Sequence, residues 1–261
     1  MALDKPAERN LCRVYRLGVV EYKKAWNLQD QLADEIASGN HPPALLLLEH
    51  PHVYTFGRRG NEQNLLWDQA ELNRRMLDMH WVDRGGGVTY HGPGQLVGYP
   101  LLPLIPHPES SAGSDGLRLP PLDYTGYLRK LETVIIKALA DFGIVAGQIE
   151  GQTGVWVQPS VLSRCKHCPP ELYNAPAKIA SIGVKVDARG VTRHGFALNV
   201  ATDMEYFKGI IACGLENQNK VKLAHLLEDL PAIHTVAESV TRNFAKMFGF
   251  KMEPHDGVVL L

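Results

Sequence analysis

The sequence predicts an α/β fold of the α+β kind, a single domain in which a mixed β-sheet is wrapped by helices. Three observations predict it. Amphipathic runs with helical spacing are interleaved with short apolar runs that end at glycine or proline. No internal repeat and no linker divides the 261 residues, a length that one large domain accommodates. Hydrophobic residues make up 45% of the chain and charged residues 21%, a balance that supplies a core and leaves a polar surface.

The elements follow in order. Residues 20–36 carry Tyr22, Ala25, Trp26, Leu28, Leu32, Ala33 and Ile36 at three- and four-residue spacing, with Gly39 as a stop, which predicts a helix. The run 44–48, between Pro43 and Pro51, reads as a buried strand, and 53–56 as a second one ending at Gly57. Residues 70–79 read as a short helix. Strands are expected at 88–90 and 95–99, and the Pro, Ser and Gly of 103–121 as a long surface loop. Leu128, Leu131, Val134, Ile135, Ala138, Leu139 and Phe142 form the stripe of a helix over 124–142, stopped at Gly143. Strands at 153–157 and 179–186 follow, the latter turned through Asp187-Ala188-Arg189-Gly190 into 191–200 as a hairpin. Short helices are expected at 206–210 and 221–227. A last helix spans 236–248, with Val236, Val240, Phe244, Met247 and Phe248 on one face.

A net charge of -1 argues against a general nucleic-acid binder. The longest apolar run, 44–48, is far too short for a bilayer. Residues 1–10 hold Asp4, Lys5, Glu8 and Arg9 without the apolar core of a secretory signal, so a cytoplasmic protein is expected. Four cysteines, Cys12, Cys165, Cys168 and Cys213, do not make a disulfide framework in a chain of this length.

The stretch from Arg84 to Leu96 holds five glycines, an arginine and a histidine. Glycine loses more freedom on folding than any other residue, so the run Gly85-Gly86-Gly87 points to close approach of backbone to a ligand. With Val88, Thr89, Tyr90 and His91 it reads as a ligand-lining loop and strand.

This run, with four further segments in order, resembles the octanoyltransferase family. The segments are Glu49-His50-Pro51 to Gly60, Lys178-Ile179-Ala180-Ser181-Ile182-Gly183, His194-Gly195-Phe196-Ala197-Leu198-Asn199-Val200, and Ile211-Ala212-Cys213-Gly214. The likeness runs from about 14 to 249, and several ordered motifs that include a lysine and a cysteine are far more specific than one glycine run. The resemblance implies the fold of lipoate- and biotin-protein ligases and no cofactor. It implies transfer of an octanoyl group from octanoyl-acyl carrier protein to a lysine of the lipoyl domains of 2-oxoacid dehydrogenase complexes and of the glycine cleavage H protein. A monomer is expected. Arg84, Gly85, Gly86, Gly87, Val88, Thr89, Tyr90, His91, Ser181, Ile182, Gly183, Gly195, Phe196 and Ala197 map onto the acyl-binding positions, and Cys213 and Lys178 onto the catalytic pair.

That chemistry suits those residue types. A thioester donor is already activated, and a cysteine can hold the acyl group while carriers exchange. A free thiol has a pKa near ~8.5, and an adjacent ammonium favours the thiolate. Taken alone, Cys213 reads as a small buried hydrophobe and Lys178 as a surface lysine; their pairing makes them catalytic. Thr89, Tyr90, Phe196 and Leu198 are expected to shape the acyl slot. Arg58, Arg59, Arg74 and Arg75 are docking candidates for acidic protein substrates, or a solvated face. Relative to the family the chain carries expanded loops at about 104–122 and 158–177. The second holds Cys165-Lys166-His167-Cys168, which is half of a zinc site, a redox pair outside its usual βαβ setting, or simply two surface thiols. Rival readings are an ATP-dependent lipoate ligase, an acyl thioesterase, and a non-catalytic acyl-binding module.

Overall fold

The computed structural model describes residues 10–104, 123–212 and 219–255. The loop expected at 103–121 lies almost wholly outside the described residues, and Cys213 and Gly214 lie outside them too. Eight strands form the main sheet: β1 (Leu11–Val19), β2 (Ala44–Glu49), β6 (Gln95–Leu101), β7 (Gly147–Ile149), β8 (Gln152–Val157), β9 (Ala177–Val186), β10 (Thr192–Asn199) and β11 (Lys251–Pro254). Their order is β11-β1-β2-β6-β10-β9-β8-β7. The pairs β11-β1 and β1-β2 are parallel, whereas the pairs from β2 through β7 are antiparallel. A second sheet, in the order β4-β3-β5, is built from β3 (Val53–Phe56), β4 (Asp78–Trp81) and β5 (Val88–His91).

Helices cover both faces of the main sheet. In β2, Leu45 and Leu47 point into one hydrophobic cluster, while Ala44, Leu46 and Leu48 point into another. That is why the strand reads as an unbroken apolar run rather than an alternating one. The first cluster is closed by α3 (Tyr124–Ala140) and α6 (Ile233–Phe248), the second by α1 (Tyr22–Ala37). Asp123 caps α3 by accepting the Gly126 N–H at 2.7 Å. The β9–β10 hairpin turns on Asp187, whose carboxylate accepts the N–H groups of Arg189 (2.9 Å) and Val191 (3.0 Å). Among the described residues no helix is long and apolar enough to cross a membrane.

Four expectations need correction. The helix expected over 70–79 is only α2 (Gln69–Arg74): Met76 takes a left-handed φ of 50°, and the chain then enters β4, parallel to β3. The helix expected at 206–210 is a 3-10 helix that spans Met204–Gly209, with Ile210 already extended. The helix expected at 221–227 shrinks to α5 (Leu223–Leu226), because Val221 donates its N–H to the Lys178 carbonyl. The 158–177 insertion folds as α4 (Pro159–Leu162) and a 3-10 turn, Pro170–Asn174. This brings the Cα atoms of Cys165 and Cys168 to 5.4 Å, and the pair is a disulfide rather than two thiols or half a zinc site.

Candidate active site

A cavity of about 570 Å³ is lined by residues from β5, β9 and β10 and from the glycine run ahead of β5. The run is stitched down on two sides. Gly85 donates to Val184 of β9 at 3.0 Å. On the other side the loop after β3 donates through Gly57 to Gly87 (3.1 Å), Arg58 to Arg84 (3.0 Å) and Arg59 to Gly86 (3.0 Å). Arg84 is buried, and its guanidinium donates to the Thr55 carbonyl (2.6 Å), the Thr55 hydroxyl (2.8 Å) and the Gly85 carbonyl (2.9 Å). It anchors the loop while presenting one face to the cavity.

Of the acyl-binding positions expected from sequence, Arg84, Gly85, Gly86, Val88, Thr89, His91, Ser181, Ile182, Gly183, Gly195, Phe196 and Ala197 line this cavity, and Lys178 lines it with them. Gly87 is spent on the backbone pairing. Tyr90 turns into the core of the small sheet, stacking on Tyr206 with ring centroids 4.9 Å apart and donating to or accepting from His52 at 2.8 Å. Leu198 is likewise core, facing α3 and α6. The structure therefore gathers nearly the whole set around one space, with Tyr90 and Leu198 in the core outside it.

Lys178 opens β9 and is 6% exposed. Its aliphatic stem lies over Gly154, where an added Cβ would come within 3.1 Å of Lys178 Cε and 2.7 Å of the Ala180 carbonyl. Only glycine leaves that passage open. The ammonium sits 4.5 Å from the centroid of the Trp156 ring, a cation–π contact. Its backbone N–H donates to Asn219 O at 2.8 Å and its carbonyl accepts from Val221 at 3.1 Å.

Around the cavity stands a group of buried histidines held neutral. His50 donates Nδ1–H to the Val20 carbonyl (2.6 Å) and accepts the Tyr99 hydroxyl on Nε2 (2.7 Å), and burial pushes its pKa down to about 4. His91 is pushed well below the ordinary histidine value by burial first, then by His50 and Arg84. Its proton can be assigned from its neighbours. The Gln95 amide nitrogen donates to Asn199 Oδ1 (2.9 Å) and Tyr90 O (3.3 Å), so Gln95 Oε1 is the acceptor facing His91 Nδ1 at 2.8 Å. His91 Nδ1 therefore carries the hydrogen. Its Nε2 faces the Thr55 hydroxyl at 3.4 Å.

His194, which sequence reading used only as part of a motif, also lines the cavity. It holds a left-handed φ of 56°, its backbone N–H donates to Gln29 Oε1 (2.8 Å), and Nε2 meets Asp83 at 2.8 Å. Asp83 also receives Lys185 and Arg193, and the hydrogen bond from His194 first, then that from Lys185, holds its carboxyl far below the ordinary range. Tyr22, Tyr99 and Tyr124 complete the polar part of the wall. Tyr22 had been legible only as one residue of a helical stripe.

The four docking arginines divide. Arg74 and Arg75 both pair with Glu71, at 2.6 and 2.5 Å, and Arg75 stacks on Trp67. Arg58 and Arg59 line the cavity and have no carboxylate within salt-bridge distance among the described residues.

Residues 21–245 match the family model described as the lipoyl protein ligase A/B catalytic domain. A protein named octanoyltransferase from Solibacter usitatus is 43% identical over 246 residues, covering 94% of this chain and 96% of its own length. Another of that name, from Chloroflexus aurantiacus, is 40% identical over 238 residues, covering 91% and 94%. Among solved structures, a bi-partite lipoate protein ligase from Thermoplasma acidophilum superposes with a TM-score of 0.63 at 16% identity, over 94% of this chain and 88% of that one. A lipoate-protein ligase A bound with ATP gives 0.62 at 15% identity, over 93% and 88%. At such identities these two structures speak for the fold alone.

Proposed function

The chain belongs to the octanoyltransferase family, and from that premise we propose that it moves its acyl group in two half-reactions through Cys213 and Lys178. It is an acyltransferase of protein lipoylation, an octanoyltransferase. The donor on this reading is octanoyl-acyl carrier protein and the acceptor a lysine of a lipoyl domain, with one copy of the chain, in the cytoplasm, as the working unit.

In the first half-reaction the Cys213 thiolate attacks the thioester carbonyl carbon. The carbon–sulfur bond to the carrier breaks, and the departing carrier thiolate takes the proton of the Lys178 ammonium. Octanoyl now rests on Cys213 and Lys178 is neutral. In the second, the neutral amine of the acceptor lysine attacks that thioester and the Cys213–acyl bond breaks. Lys178 takes up the proton the new amide nitrogen loses, which restores the thiolate–ammonium pair. Both bonds exchanged are at one acyl carbon, so no nucleotide is consumed.

The observation that carries this reading is the setting of Lys178: a buried ammonium in the wall of the cavity, with its backbone hydrogen-bonded to Asn219 and Val221, within three residues after 213–218 in sequence. The test is transfer from octanoyl-carrier to an unmodified lipoyl domain without nucleotide, followed by intact mass. Turnover without ATP is expected, falling roughly a hundredfold or more in Lys178→Met. A requirement for ATP, or wild-type rate in Lys178→Met, contradicts the reading.

A further inference from the structure

Antiparallel pairing of β9 with β10 runs from Val186↔Thr192 to Ala180↔Leu198 and stops there. Continued by two residues it would set Val200 beside Lys178. Instead Val200 turns away, donating its N–H to Gly94 O at 3.1 Å and accepting from Ala224 at 3.0 Å. The vacated position beside Lys178 is taken by the short extended piece 219–221, which bridges to Lys178 in parallel through Lys220. So the main sheet changes partner at its catalytic end, and the new partner is the chain returning from 213–218.

One side chain stands at this change of partner. Asn199, the last residue of β10, is 4% exposed and donates Nδ2–H to the Val221 carbonyl at 3.2 Å. Its Oδ1 accepts from Gln95 at 2.9 Å, and Gln95 Oε1 accepts from His91 at 2.8 Å. The result is one unbroken buried line: His91 of β5, Gln95 of β6, Asn199 of β10, Val221, and the Lys178 backbone of β9. Every polar group in it has a partner of the right kind, the condition under which a buried network rigidifies a site rather than weakening it. A core built for stability alone would place apolar side chains here, since both amides lie under apolar strands and neither reaches solvent.

We propose that Gln95 and Asn199 are positioning residues for the transfer reaction: together they lock the segment 219–221 against β9 and so fix the end of β9 that carries Lys178 in the cavity wall. The proposal rests on the Cys213–Lys178 reading above. Loss of either amide leaves the sheet intact but lets 219–221 drift, and the Lys178 ammonium on which the Cys213 thiolate depends in that reading loses its fixed place.

The test measures the pH dependence of Cys213 alkylation by iodoacetamide, read by peptide mass spectrometry in the intact protein. Variants are Asn199→Leu, nearly the same in volume, Gln95→Met, which removes the anchor of Asn199, and Lys178→Met. Val240→Ala, in the core between α6 and the sheet, serves as the control for a stability loss without change at the site. In the wild type the alkylation midpoint is expected below that of a free thiol. Asn199→Leu should raise it by about one pH unit, a roughly tenfold loss of thiolate at neutral pH, and Gln95→Met should move it in the same direction. Val240→Ala should leave it in place. A wild-type midpoint in either folded amide variant, while Lys178→Met raises it, overturns the proposal. An ordinary thiol midpoint in the wild type, unmoved by Lys178→Met, overturns the catalytic-pair reading instead, so the two failures are distinct.

Discussion

The carbonyl of Val20 decides which nitrogen of His50 carries its proton, and the Tyr99 hydroxyl occupies the other. A second proton has nowhere to go, which is the structural side of a pKa held near 4 against an ordinary 6.5. The unfolded chain takes up that proton first as pH falls. Stability from this residue is therefore full above pH 6.5, declines below it, and its loss is complete once pH passes below about 4. The gap corresponds to about 3 kcal/mol. Urea unfolding at pH 7 and at pH 4.5 should show a steep loss in the wild type and a shallower one in His50→Gln; equal losses would contradict it. His50, Gln95 and Asn199 all sit in segments that sequence reading singled out, yet no role could be read for them. Their partners lie 49 and 104 residues away, and neither periodicity nor local motif encodes such pairings. Lys178 was readable only because it stood in a family pattern.

Among the elements, those with a strong period were readable and those that depend on a distant partner were not. The stripes of α1, α3 and α6 and the unbroken run of β2 announce themselves. β1 and β11 went unread, because a strand that gains its meaning from parallel neighbours, as β1 does from β2 and β11, carries no turn to mark it. β4 was hidden inside a helical pattern that only the backbone of Met76 interrupts. Where β6 and β10 run side by side, an added Cβ on Gly195 would sit 2.0 Å from the Gly98 carbonyl and 2.7 Å from Pro100 Cδ. Both obstacles belong to backbone or a proline ring and cannot swing aside. Gly195→Ala should thus cost about 2 kcal/mol or more and lower the urea midpoint, and an unchanged midpoint would show that the strands can part. In the insertion, the Cys165–Cys168 bridge closes so short a ring that it constrains the unfolded chain by only about 2 kcal/mol. Alkylation without reductant should leave both residues unlabelled, and dithiothreitol should expose them with a modest fall in melting temperature. Labelling of either cysteine before reduction would contradict the bridge.

The molecule as a whole sets a small sheet over a large one and keeps a cavity between them, with the glycine run sewn to both. Sequence reading anticipated a mixed sheet wrapped by helices but not its division in two, since strand composition gives no sign of which sheet a strand joins. Most of the residues that line the cavity were legible as motifs, because they are clustered in three short segments. On the proposed two-step reading the molecule carries the acyl group itself, and one measurement tests that directly. After mixing with octanoyl-carrier in the absence of acceptor, the acid-quenched protein should carry one octanoyl group, located on the Cys213 peptide and discharged on addition of a lipoyl domain. Absence of that adduct, together with undiminished turnover in Cys213→Ala, would contradict it.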